Sequence, residues 1–320
     1  MEPGIDAATA ETQAATTSTA EPSAEPSAEK SATWPSLLVG IVASAVMLFP
    51  SWVGGGRLPL QNLWQTQTMP DDMPFSLLPV SQYYALNIFG MLLMGGIVAG
   101  LAVRVLSRRR PMRAGIAALG VLLVHAIVTV QSFAVVADGL GLTRGTAGGR
   151  EVLYFGGMLG GVIMGILFAQ LGLLLTSRRT VTPVALGIVL AAVPFASWIG
   201  TAIVAFTTYM GYPPVVSEVL RWLPAVIVGV TLAWCGVRPL SRLAVWIVGP
   251  LAVWVLPAVF TAMQYVLGSR VLLGDLREMA DAATQIFPQA LAVLWQPAVV
   301  ALVIGLLGTG VRMLLSRRAD

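Results

Sequence analysis

Charge is scarce in this chain. Of its 320 residues 11% are charged, against 57% hydrophobic, where soluble domains carry about a quarter charged residues. Water therefore does not solvate most of the polypeptide. Cysteine is almost missing too: Cys235 stands alone, which excludes an internal disulfide and any cysteine-rich metal site. Histidine is reduced to His125 and lysine to Lys30. No HExxH, GxSxG, Walker or DxxD-type acidic motif occurs. One histidine, with no acid inside any apolar stretch, leaves hydrolytic or transfer chemistry few parts. No catalytic residue, cofactor or metal ligand is expected. Basic residues are not interleaved with aromatics, so the net charge of +4 does not point to nucleic acid.

What the chain has instead is apolar length, with a mean hydropathy of +0.82. Its hydrophobic residues fall into stretches of roughly twenty, the helical length that crosses about 30 Å of hydrocarbon. Eight spans follow, at about 36–53, 83–106, 114–137, 152–176, 182–208, 219–235, 241–266 and 290–312. The expected fold class is all-α: a polytopic helical membrane protein whose eight transmembrane helices form four hairpins with internal parallel repeats, occupying residues 34–320. The lipid bilayer is its first partner.

The connections sort by charge. "RVLSRRRPMR", "TSRRT", "VRPLSR" and "VRMLLSRRAD" follow the even-numbered spans and hold twelve of the eighteen arginines, with no acid before Asp320. The other connections hold Asp71, Asp72, Asp138, Glu151, Glu218, Asp275, Glu278 and Asp281 beside six arginines. Arginine bias places the first group, and both termini, in the cytoplasm. The excess of arginine over lysine is the usage of a GC-rich genome, so a bacterial plasma membrane is the expected location. Residues 1–33, rich in Ala, Glu, Pro, Ser and Thr with an "AEPS" repeat, have little to bury and are expected to form a disordered cytoplasmic tail. They lack the basic start and apolar core of a signal peptide.

Spans five to eight contain an internal echo. Laying 183–209 over 239–265 without a gap superposes Pro183 on Pro239, Pro194 on Pro250, Trp198 on Trp254 and Tyr209 on Tyr265. "RWLPAVIVGV" (221–230) resembles "LWQPAVVALV" (294–303), and "GIVASAV…SWVG" (40–54) resembles "GIVLAAV…SWIG" (187–200) with one gap. Units related this way share one orientation, a recurring plan in transporters. The alignment sets His125 over Ser197 and Val253, and Thr129 over Thr201 and Pro257.

Polar residues inside the spans are the candidate site. His125, Thr129 and Ser132 are spaced i, i+4, i+7 on one helix face, which should look into the bundle because lipid offers no hydrogen-bond partners. Ionisable groups at such depth are candidates for function; the competing structural role is a neutral imidazole bonded to a neighbouring helix. Gln170 and, on a second face with Pro257, Thr261 and Gln264 complete the substrate-binding set. An acid-free interior suits a neutral or amphipathic ligand better than an ion. Pro194, Pro250 and Pro257 are expected to kink or interrupt their helices. Gly96, Gly100, Gly157, Gly161 and Gly165 are expected to allow close helix approach, within the bundle or toward a second copy or membrane partner.

Two outer connections stand out. In 269–289, Asp275 and Glu278 resemble a capping pair, Pro288 is expected to stop the helix, and Leu276, Met279, Ala283 and Phe287 share one face: an amphipathic interfacial helix. The 54–82 connection carries Trp64, Asp71 and Asp72, and Tyr83 and Tyr84 follow it. Together these features indicate a permease-like protein binding or moving a neutral or amphipathic solute. The alternative is a non-transporting subunit of an envelope or efflux complex.

Overall fold

A computed structural model describes residues 25–207, 213–269 and 275–319, with side chains from 32 to 315. Among the described residues there are nine α-helices: α1 Glu25–Val53, α2 Ala85–Leu106, α3 Ala114–Gly139, α4 Gly149–Thr176, α5 Val181–Phe206, α6 Pro214–Cys235, α7 Leu243–Gly268, α8 Leu276–Val293 and α9 Gln296–Ala319. All but α8 contain a segment long and apolar enough to cross a membrane. The protein is a polytopic helical membrane protein of four hairpins: α1–α2, α3–α4, α5–α6 and α7–α9. The ends of α2, α4, α6 and α9, with the starts of α1, α3, α5 and α7, form an arginine face. The other ends, with the 54–82 connection and α8, form an acidic face.

Three boundaries differ from the sequence reading. Helix α1 starts at Glu25, so residues 25–33 of the expected tail are helical; alanine and glutamate in "EPSAEKSA" are good helix formers, and Pro26 sits where proline is tolerated. Helices α5 and α7 run through Pro194, Pro250 and Pro257 without interruption, each proline removing one helical donor without breaking its helix. Pro288 does not stop α8, which continues to Val293. Thr284, whose carbonyl loses its helical donor, is exposed at the surface. Tyr209 of the repeat lies outside the described residues.

The repeat reappears in the packing. In the first half α2 packs most extensively on α4, then α1 on α3; in the second half α6 packs most extensively on α9, and α5 packs on both α6 and α7. Small residues make the tightest seams. A methyl on Gly96 would collide with the Ala169 carbonyl of α4, and one on Gly229 would crowd Ala301 and Ile304 of α9. Gly100 meets Leu173 and Thr176, so the glycines on α2 serve packing within the chain. Thr176 Oγ1 donates to the Ile97 carbonyl at 3.2 Å across this seam. The aligned tryptophans also behave alike: Trp52, Trp198 and Trp254 donate to the carbonyls of Leu77, Met47 and Leu291 at 2.9, 2.8 and 2.8 Å. Helix α5 joins the halves through α1, α2 and α4.

The 54–82 connection is folded into the first half. Leu58, Met73, Leu78 and Val80 are buried in one cluster with Leu48, Ile88, Met91 and Val128. Each such side chain gains roughly 1.5–3 kcal/mol over exposure to water. Polar side chains of α3 fix the connection: the Leu77 N–H donates to Gln131 Oε1 at 2.9 Å and the Leu78 N–H to Ser132 Oγ at 2.8 Å. Gln61 adds a bond to the Val80 carbonyl at 2.7 Å.

Candidate functional site

Two cavities open toward the acidic face. The larger, about 460 Å³, lies where α4 and α7 diverge, bounded by the start of α2 and roofed at its rim by Leu276 and Met279 of α8. The second, about 420 Å³, lies inside the second half between α5, α6 and α7, with Asn87 of α2 completing its wall. Between them α2 touches α7: the Phe89 and Phe260 rings pack edge-on with centroids 6.4 Å apart, and Gln264 Nε2 donates to the Tyr83 carbonyl at 3.0 Å.

The second cavity has the mixed chemistry of a solute site. Ser197 and Thr201 of α5 face Val253 and Pro257 of α7, and Leu220, Arg221 and Pro224 of α6 complete one side. Proline has no N–H, so Pro224 and Pro257 leave the carbonyls of Leu220 and Val253 without their helical donors; both residues line the cavity. Arg221 stands at the mouth with a 42% exposed side chain, bonded to Gln296 at 2.5 Å, 3.9 Å from Glu218, and 5.2 Å over the Trp222 ring. The cavity therefore offers hydroxyls, backbone acceptors, one amide and one cation against an apolar background.

In the first half the corresponding space is filled. Taking Gly96 and Gly229 as equivalent, Ile88 and Met91 of α2 stand where Arg221 and Pro224 stand in α6. Both are buried in the cluster that the 54–82 connection completes, with Ile88 also bordering the larger cavity. The two halves share a plan, and the plug is present in only one of them.

None of the six residues proposed from sequence lines either cavity. His125, Thr129 and Ser132 do share one buried face, but it is closed off by α1, α2 and the 54–82 connection. Thr129 Oγ1 donates back to the His125 carbonyl at 2.6 Å, and Ser132 holds the connection. His125 is fully buried, and among the described residues neither ring nitrogen has a hydrogen-bond partner. A methyl on Gly95 would lie 3.2 Å from its Nε2 and 3.3 Å from the equally unpaired Ser44 hydroxyl. Gln170 Nε2 reaches the Ala118 carbonyl at 3.3 Å, and Thr261 donates to the Pro257 carbonyl at 2.8 Å. These residues are not brought together. Ser197, Thr201, Val253 and Pro257 were nonetheless legible, since they are the positions the repeat sets against His125 and Thr129.

The glycines of α4 divide the same way. Gly165 packs on Leu92, whereas Gly157 and Gly161 have nothing within 4 Å of an added methyl and border the larger cavity. Among the described residues no three His, Cys, Asp or Glu side chains cluster to hold a metal. The chain matches no family model, and no curated protein or solved structure is significantly similar to it. What fold and cavities define is a class: an integral membrane protein of two like halves with cavities inside its bundle.

Proposed function

We propose that this protein is a permease-like protein of a bacterial plasma membrane that binds or moves a neutral or amphipathic solute, without chemistry on it. Both termini are cytoplasmic in this reading, because arginine clusters favour the cytoplasmic side, and the two cavities then open outward. The observation that carries it is the second cavity, kept open in one half of a repeated bundle while its counterpart is plugged. At about 420 Å³ it falls within the roughly 300–1,000 Å³ of small-molecule sites. Hydroxyls and freed carbonyls suit a solute with hydrogen-bonding groups, and no buried acid is there to hold a coupling cation.

The test is flux in proteoliposomes across a panel of neutral and amphipathic solutes. At least one solute should equilibrate faster than in protein-free vesicles, and Thr201→Leu should slow it about ten-fold. His125→Ala should leave it unchanged. A panel in which no solute is accelerated, or a Thr201→Leu rate equal to wild type, contradicts the proposal.

A further inference from the structure

The larger cavity differs from the second in chemistry and shape. Along α4 its wall runs from Arg150 to Met164, roughly 20 Å of helix at about 1.5 Å per residue, so it is long and lies parallel to the spans. Its depth is apolar and compliant, with Met158, Met164 and Met263 among its walls; methionine is flexible and fits irregular apolar partners. Gly157 and Gly161 widen it by having no side chain, and an added methyl at either meets nothing within 4 Å.

Polar groups gather at one end. Gln82, Arg150 and Tyr154 line the acidic-face end, where α2 and α4 begin. Gln82 is the telling residue: it is 2% exposed, and among the described residues neither its amide nitrogen nor its amide oxygen has a partner. A buried amide left unpaired costs about 1–3 kcal/mol. A group presenting one acceptor and one donor would satisfy it.

We propose that the larger cavity is a binding site for a single-chain amphiphile of the fatty-acid class. Its alkyl chain lies along α4 and its carboxyl group, as the neutral acid, accepts from Gln82 Nε2 and donates to Gln82 Oε1, with Arg150 at the rim. A chamber polar at one end only, aligned with the bilayer chains and about 460 Å³ in volume, matches one chain with a small head. Helix α8 closes the rim through Leu276 and Met279 on its apolar face. This site is separate from the solute cavity and stands whether or not Thr201→Leu alters flux.

The test is photolabelling of the full-length protein in nanodiscs with a diazirine-bearing fatty acid, followed by peptide mapping. Label should appear on α4 and α7 and fall more than about ten-fold in Gly161→Phe, which fills the chamber. It should fall about ten-fold in Gln82→Leu, which keeps the volume and removes the amide. Gly160→Phe, beside the cavity but not lining it, should label like wild type and melt at the same temperature. Labelling that Gly161→Phe leaves unchanged overturns the site. A phosphatidylglycerol carrying the same diazirine in one chain separates free amphiphile from bilayer lipid: labelling of α4 and α7 by it as strongly as by the fatty acid overturns the single-chain assignment.

Discussion

At the scale of single residues, the chain uses glycine in two opposite ways on facing helices. Gly96 exists so that α4 can approach, and Gly161 exists so that nothing does. Gly96→Leu would drive a side chain into the Ala169 backbone, and overpacking of this kind costs about 1–3 kcal/mol or more. The expected outcome is a melting temperature several degrees below wild type by the scaling of stability to Tm. Gly161→Leu should melt as wild type does. His125 makes the complementary point. With neither nitrogen paired among the described residues, His125→Leu removes two buried polar atoms and strands none, so stability in a thermal melt should hold or rise; a loss above about 2 kcal/mol would mean the imidazole is bonded. A lone histidine in an apolar run is conspicuous in sequence. Whether it faces a cavity or a neighbouring helix depends on packing between distant segments, and a single helix period does not carry that information.

At the scale of elements, the eight spans were legible because apolar length and the cost of unpaired backbone groups in lipid leave little choice. Helix α8 was legible for a different reason: its cap and its apolar face are both local. The Asp275 carboxylate accepts from the N–H groups of Arg277 and Glu278 at 3.0 and 3.1 Å. Asp275→Ala should cost about 0.5–2 kcal/mol of helix stability, read as faster amide exchange over the first turn of α8 with α7 unaffected. The role of the 54–82 connection was not legible. Its few apolar residues are scattered among Pro, Gln and Thr, and only the fold brings Leu58, Met73, Leu78 and Val80 together. Gln131→Ala with Ser132→Ala strips two acceptors from Leu77 and Leu78 and should loosen this plug by about 1–3 kcal/mol per stranded group. Increased amide exchange across residues 74–80, with the spans still protected, is the expected result.

At the scale of the whole molecule, the chain reads as a repeated four-span unit that keeps scattered Pro, Trp and Gly positions and differs in its connections and lining residues. The repeat was visible in paired prolines and tryptophans, and it located the second cavity better than the polar residues did. Orientation is open to direct measurement, because Cys235 is buried and the chain is otherwise free of cysteine. In intact cells a membrane-impermeant maleimide should modify Thr66→Cys but reach Ser107→Cys only after lysis; the reverse pattern contradicts cytoplasmic termini. The central claim, that the second half holds an open cavity where the first is closed by the 54–82 connection, is tested most directly at one threonine from each. Thr201→Cys on α5 and Thr129→Cys on α3 are near-isosteric changes at positions the hairpin alignment superposes; Thr201 lines the second cavity, whereas Thr129 is buried on the face closed by α1, α2 and the 54–82 connection. Exposed to a small water-soluble methanethiosulfonate, Thr201→Cys should react and Thr129→Cys should remain inert until the protein is unfolded. Equal reactivity of the two cysteines, or reaction at Thr129→Cys alone, would contradict it.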